Sequence, residues 1–485
     1  MTRELRRLSF VILAMFLALF AATSWIQVVD ADSLAQNPAN TRTRLDSYQI
    51  QRGSIIVDGT AIATSVATDD RYQYKRVYAD PAMWAPVTGY YNPVLDSRTG
   101  IEKALNSDLS GTGSNAFFGE IERILSGQPQ QGLSVELTMD ADAQRAAYEA
   151  LQGLKGAVVA IEPATGRILA MVSTPGYDTN ALAAHDADAV NQTYDSLAAD
   201  PAKPLYNRAI GGNLNPPGST FKVVVAAAAL ASGDWTLQST LPNPARYTLP
   251  GTKTTVSNAW GGTCGDGATA TLAEALKRSC NIPMAELAVE LGDKAIREMA
   301  EKFGFNADLE IPLAVTPSSY PSSSLSDDAT ALTGFGQGKV TATPLAIAMV
   351  AAGVANDGTV MKPRMVDRVI GDDFAVHRQF DDEVFDEALD PEAADALTAV
   401  LVEGVDSGAA TGARIDGVDV AGKTGTAEND DKPYTLWFTG FAPAENPKVA
   451  VAVLVEDGGG KGQSGSGNAI AAPIAKKVIE AVLGR

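Results

Sequence analysis

Histidine and cysteine are almost missing: His185, His377, Cys264 and Cys280 are all there is in 485 residues. A zinc site of four such ligands would need every one of them, at spacings unlike any compact metal motif, so no metal is expected. A Ser-His-Asp hydrolase would have to draw on one of two histidines. His185 stands in Ala-Ala-His-Asp-Ala-Asp and His377 in the charged stretch after Gly371-Asp372-Asp373, and both read as exposed loop. Basic residues are also short, 38 against 58 acidic, for a formal net charge of -20. Phosphate contacts need basic patches, so nucleic acid is not an expected partner. Internal repeats and low-complexity tracts are missing, and 45% hydrophobic with 20% charged content excludes a globally disordered chain. The length exceeds what one core supports, so two or three domains are expected.

Charge is missing from one continuous stretch as well, Leu8 to Val29. At helical rise it reaches about 33 Å, enough to cross a bilayer core. Arg3, Arg6 and Arg7 precede it, and Asp30 and Asp32 follow. The positive-inside rule then puts the N-terminus in the cytoplasm and the bulk of the chain outside. The small residues Ala21-Ala22-Thr23-Ser24 admit a cleaved signal peptide as the alternative. The apolar stretch exceeds the usual signal core of about 7–15 residues, and the expectation over 1–29 is a cytoplasmic stub with a retained single-pass anchor in the cell membrane.

What is present divides near residue 150. Within 30–150, Ile55-Ile56-Val57 with the Gly59 turn reads as strand, Pro81 to Gly100 as loop-heavy, and Phe117 to Leu125 as a short amphipathic helix. Asp140 to Leu154 is a helix with Asp140 as N-cap. Ala157 to Ile161 and Ile168 to Ser173 make a hairpin about the Pro163-Ala164-Thr165-Gly166 turn. Helical segments follow at Val223–Ala231, Leu272–Leu276, Met284–Leu291 and Pro344–Ala355. Apolar strands return at Trp437–Phe441 and Val449–Val455, and a helix over Ala469–Leu483 closes the chain. Strands at both ends with helices between predict an α+β domain over 151–485, an antiparallel sheet packed on a helical cluster.

Three short motifs carry chemistry. Pro216-Pro217-Gly218-Ser219-Thr220-Phe221-Lys222 opens an uncharged helical run, with Lys222 on the same face as Ser219. Burial and the positive helix end both push such a lysine below the free value of about 10.4. A neutral lysine can take the serine proton without any histidine. Taken alone, the pair also fits a capping serine beside a snorkelling lysine. Ser279-Cys280-Asn281 falls in a turn between helices, where it also fits a plain capping turn. Lys423-Thr424-Gly425-Thr426 falls on a strand, where it also fits a surface lysine in a polar strand. Cys264 and Cys280 are 16 residues apart on the exported side, where disulfides persist. A Cys264–Cys280 bridge is expected, against two buried free thiols.

Ser-x-x-Lys, Ser-x-Asn and Lys-Thr-Gly in that order are the signature of penicillin-binding proteins and class A β-lactamases, and the chain resembles this family along most of its length. Lys155 to Gly166 resembles the opening hairpin of its transpeptidase domain. Asn207-Arg208-Ala209 and Gly336-Gln337-Gly338 before Thr343-Pro344 are similar to family motifs. Arg52-Gly53, Gly100-Ile101-Glu102 and Leu109-Ser110-Gly111 resemble the non-catalytic pedestal of class B members, here expected over 30–150. Two departures stand out: Cys280 between Ser279 and Asn281, and a short pedestal.

The resemblance implies a peptidoglycan D,D-transpeptidase of growth or division, inhibited covalently by β-lactams. Ser219 would attack a stem peptide of the lipid-linked precursor, with Lys222 as base and Ser279 and Lys423 relaying the proton. Asn281 would hold the substrate amide, Thr424, Gly425 and Thr426 would bind the substrate end, and the N–H groups of Ser219 and Thr426 would form the oxyanion hole. No cofactor is implied, and a SEDS-type glycan polymerase is the implied partner. A secreted β-lactamase, a D,D-carboxypeptidase sharing every motif, and a non-catalytic receptor or scaffold are the rivals. Anchor and pedestal speak against the first, and the retained lysines and the short cytoplasmic stub against the last.

Overall fold

The computed structural model describes residues 2–30, 48–112, 131–212, 214–429 and 431–485. Helix α1 (Thr2–Val28) stands clear of the rest of the chain. Among the described residues it is the one helix long and apolar enough to cross a membrane. The strands that build the two main sheets are, in chain order, β1 (Ile55–Val57), β2 (Thr60–Ala67), β3 (Tyr74–Tyr78), β4 (Ser134–Leu137), β5 (Gly156–Ile161), β6 (Ile168–Thr174), β7 (Val366–Ile370), β8 (Val376–Gln379), β9 (Ala421–Asn429), β10 (Lys432–Ala442) and β11 (Val449–Val455). The helices used below are α2 (Pro81–Thr88), α3 (Ala141–Ala150), α4 (Lys222–Ala231), α5 (Leu272–Arg278), α6 (Ile282–Lys302), α7 (Pro344–Ala355), α8 (Pro391–Ser407) and α9 (Ala471–Val482).

Five strands form one antiparallel sheet in the order β9-β10-β11-β5-β6. Its middle strand, β11, reads Val-Ala-Val-Ala-Val-Leu-Val and is buried throughout. Period-two alternation divides it between two cores. Val449, Val451, Val453 and Val455 pack with Ala143, Ala147, Ala475 and Val478 of α3 and α9. Ala450, Ala452 and Leu454 face the helical cluster that contains α4 and α7. Strand β9 is the edge of this sheet, so its outer backbone groups are not taken by another strand. Helix α4 lies in the second of these cores, with every residue from Lys222 to Ala229 buried. Burying each of its three valines contributes about 1.5–3 kcal/mol. That favourable packing is what carries Lys222 into the interior with them.

A second sheet has the order β8-β7-β4-β1-β2-β3. Strand β1 runs parallel to β4, with Ile55 opposite Val135. Strands β7 and β8 join from far along the chain, with Val366 opposite Leu137 and Val369 opposite Val135. A cut at residue 150 therefore divides this sheet between both parts of the chain. Helix α3, placed before that cut, packs on β6 and α9, because Ala143 and Ala147 need cover. The sheet is backed by a buried ion cluster. Glu102 receives Arg52 Nη2 at 2.8 Å and Nε at 3.0 Å, the Arg76 guanidinium and the Tyr78 hydroxyl at 3.2 Å.

The loop expected over Pro81–Gly100 instead begins with helix α2, whose Met83, Trp84 and Val87 are buried. Pro81 holds the first helical position, where a missing N–H costs nothing, so proline content misled the sequence reading. Gln144 of α3 fastens α2 to β6 by bonds to Met83 O at 3.1 Å and Met171 O at 3.0 Å. The helix expected at Phe117–Leu125 lies outside the described residues.

Candidate active site

Ser219 sits in a 3-10 turn, Gly218–Phe221, that runs into α4. The turn is wedged between two backbone segments. Behind it, Gly218 N–H donates to Gly336 O at 3.0 Å. A Cβ on Gly336 would stand 2.0 Å from Gly218 O, so only glycine lets the Gly336–Gly338 turn approach this closely. In front runs β9, where a Cβ on Gly425 would stand 2.9 Å from Pro217 O. The glycine of the third motif thus lets the edge strand lie against the serine turn.

Lys222 and Lys423 both reach the second motif from the interior, 0% and 3% exposed. Lys423 Nζ donates to Ser279 Oγ at 2.6 Å. Lys222 Nζ donates to Ser279 O at 2.7 Å and Asn281 Oδ1 at 2.8 Å, with Ser279 Oγ at 3.4 Å. Burial and the like charge of Lys423 hold the Lys222 amine far below the usual lysine range. Burial alone pushes Lys423 down to about 7. Both amines therefore give up a proton more readily than a free lysine, and they meet on one hydroxyl. Ser279 terminates α5 in the left-handed conformation, φ 64° and ψ 39°. That conformation is costly for a residue with a side chain, and it aims the hydroxyl between the amines.

The three motifs are thus brought together, and two details differ from the sequence reading. Among the described residues no hydrogen bond joins the Ser219 hydroxyl to either amine; both amines are turned to the Ser279–Asn281 turn. Catalytic contacts commonly tighten only with substrate bound. The Thr424 hydroxyl is buried and donates its one proton to Ala409 O at 3.0 Å, in the segment after α8. Thr426 is half-buried and accepts from Gly467 N–H at 3.3 Å, which leaves its proton free to donate. Cys264 and Cys280 form the expected disulfide, with Cα atoms 5.8 Å apart. Asn281 Nδ2 donates to Ser257 O at 3.0 Å. Sequence reading missed Asn258, Gly467 and Ala409, which are loop residues with no periodic or motif signal. Arg208, noted only for its motif, reaches Glu456 at 3.3 Å and the carbonyls of Ala202 and Lys203.

Residues 156–480 match the family described as penicillin binding protein transpeptidase domain, and residues 52–135 the penicillin binding protein A dimerisation domain. The peptidoglycan D,D-transpeptidase PbpA of Mycolicibacterium smegmatis is 41% identical, with 100% of this chain and 99% of that protein covered. The protein of the same name from Mycobacterium tuberculosis is 40% identical over 100% of this chain and 99% of its own. Among solved structures, the ceftriaxone acyl-enzyme complex of M. tuberculosis penicillin-binding protein A superposes with a TM-score of 0.86 at 40% identity, covering 90% of this chain and 100% of that one. Its penicillin G acyl-enzyme complex does so with a TM-score of 0.84 at 39% identity, over the same 90% of this chain and 100% of that one. With a transpeptidase-domain match over residues 156–480 and relatives at 40–41% identity over its full length, the chain belongs to the penicillin-binding protein transpeptidase family.

Proposed function

We propose that this peptidoglycan D,D-transpeptidase works through an acyl-enzyme on Ser219, with its protons handled by Lys222, Ser279 and Lys423. The carrying observation is the pair of buried, depressed lysines converging on Ser279 beside the serine turn. Ser219 Oγ attacks the carbonyl of the penultimate D-Ala, and its proton passes to the neutral Lys222 amine. The tetrahedral intermediate collapses, the C–N bond breaks, and a proton relayed through Ser279 and Lys423 reaches the departing D-Ala amine. The amine of a neighbouring stem then attacks the ester carbonyl. It loses one proton to the same relay, and Ser219 leaves with a proton restored. The product is a 4→3 peptide crosslink. The backbone N–H groups of Ser219 and Thr426 serve the developing oxyanion. Asn281 orients Lys222 and offers its remaining N–H to the substrate amide. Thr426, Gly425 and Lys423 line the place of the terminal carboxylate, and the position of the Thr424 proton makes Thr426 the hydroxyl that donates to it. A β-lactam is captured by the first half of this sequence, as an ester on Ser219.

The length and apolarity of α1, with Arg3, Arg6 and Arg7 before it, support a single membrane pass with the catalytic domain outside. A SEDS-type glycan polymerase contacting α1 and the pedestal is the partner this reading assigns. Replacing both segments should then abolish recovery of the polymerase in a pull-down, and undiminished recovery would refute the contact.

The activity is tested by mass spectrometry of muropeptides made by the purified chain from lipid-linked substrate. Crosslinked dimers that vanish in Ser219→Ala support the reading. Trimmed but uncrosslinked stems would turn it to carboxypeptidation, and penicillin labelling that survives Ser219→Ala would refute the nucleophile.

A further inference from the structure

Something must hold the Ser279–Asn281 turn. Ser279 keeps a left-handed backbone, which persists only where the surroundings over-determine it. Immediately afterwards α6 begins, and the first N–H groups of a helix have no partner inside it. Its N-terminal residue Asn281 supplies no side-chain cap. The acceptor comes from elsewhere. Asn258, 1% exposed, receives Asn281 N–H at 2.6 Å and Ile282 N–H at 3.2 Å on Oδ1, and donates Nδ2 to Gly262 O at 2.8 Å. Its amide is thus committed on both sides, to the turn and to the loop that carries Cys264. That loop is itself braced. Buried Asn243 accepts from Cys264 N–H at 2.6 Å and donates to Cys264 O and Gly267 O, each at 2.9 Å.

We propose that Asn258 is a positioning residue for acyl transfer. It fixes the Asn281 backbone, and through it the Asn281 Oδ1 contact that aims the Lys222 amine. This rests on the roles given above to Lys222 and Asn281. Asn258 touches no reacting atom; it acts through its neighbour. The charged groups around the turn are few. Lys222 and Lys423 reach it from within, while Lys277 and Arg278, just before it, are paired outward with Glu403 and Glu274.

Two variants of the full chain separate positioning from plain helix capping. Asn258→Asp keeps an acceptor for both N–H groups, gives up the donor to Gly262 O, and adds a negative charge two hydrogen bonds from the Lys222 amine. Asn258→Ala removes the acceptor. Acylation by a fluorescent penicillin is followed between about pH 6 and pH 10, with thermal unfolding measured in parallel so that rates are compared where each variant is folded. For Asn258→Asp the acid limb should move up by about one pH unit, with the rate above the limb within about threefold of the parent. For Asn258→Ala the rate above the limb should fall at least about tenfold. A limb unmoved in Asn258→Asp, or a folded Asn258→Ala that acylates at the parent rate, overturns the proposal. If Asn258→Ala does not fold, the limb of Asn258→Asp decides alone. A parent that is not labelled at Ser219 sinks the earlier reading and this one together, whereas a labelled parent with unmoved variants sinks only this one.

Discussion

Ser279 Oγ stands between two amines that burial has stripped of much of their affinity for protons. The sign of the pH dependence follows. A lysine depressed in the folded enzyme is protonated, and useless as a base, below its folded pKa. Penicillin acylation should therefore rise as pH rises through the neutral range, where Lys423 titrates at about 7. The apparent value belongs to the coupled pair and not to one lysine. A stopped-flow profile that is flat down to pH 5 would contradict the assignment. Lys222→Ala should slow acylation by about 10²–10⁴-fold. Ser279→Gly and Ser279→Ala both delete the hydroxyl, but glycine relieves the left-handed backbone. The glycine variant should be the more stable of the two by about 1 kcal/mol in thermal unfolding, with both equally slow. Thr424→Val should chiefly destabilise, by about 1–3 kcal/mol, because Ala409 O loses its donor in the interior. Thr426→Val should instead weaken β-lactam capture at nearly unchanged stability, and equal kinetic effects in the two would refute the distinction. Ser219, Lys222, Ser279 and Lys423 were legible in the sequence because their residue types recur at fixed offsets within short motifs. Asn258 was not, since nothing at position 258 marks it out until the chain folds back and brings it under residue 281.

At the scale of elements, local patterns foretold most of the C-terminal sheet. The β5–β6 hairpin, β11 and the Asp140-capped α3 stand where alternation and capping placed them. Helix α2 did not, because burial of Met83, Trp84 and Val87 is a tertiary matter that proline content conceals. The pairing of β4 with β7 was equally hidden, as no local signal links residues this far apart. Two elements hold covalent or ionic ties whose removal has a definite outcome. Opening the Cys264–Cys280 bridge, with its 16-residue separation, should cost about 3 kcal/mol in the chain-entropy account. Acylation of Ser219 should slow before helix content falls in circular dichroism; loss of both together would make the bridge merely structural. In the pedestal, burial pushes Glu102 upward, but Arg76 and Arg52 outweigh it and hold its carboxyl below the usual range. Its stabilising charge is present above the ordinary carboxylate pKa and is lost as pH falls through the lower folded value. Glu102→Ala leaves two guanidiniums buried without a counter-charge and should cost about 3–5 kcal/mol by chemical denaturation.

At the scale of the whole molecule, amide side chains tie the region that matches the dimerisation domain to the transpeptidase domain. Asn180 exchanges bonds with both Tyr78 N–H at 2.9 Å and Tyr78 O at 2.8 Å, Asn92 reaches Leu182 O, and Asn207 reaches Pro86 O at 2.9 Å. A fragment ending at residue 150 lacks β7 and β8, and β4 is left as an open edge. It should self-associate in size-exclusion chromatography, whereas a fragment that is monomeric and folded would refute the shared sheet. The same strand order has a consequence in time. Ribosomes make β4 well before β7, more than 220 residues later in the chain, so the first lobe to emerge waits with an unfilled place in its sheet. Its completion then depends on a late stretch of chain returning to it, a slow kind of closure. The lobe nearest the N-terminus would be among the last parts of the protein to finish folding.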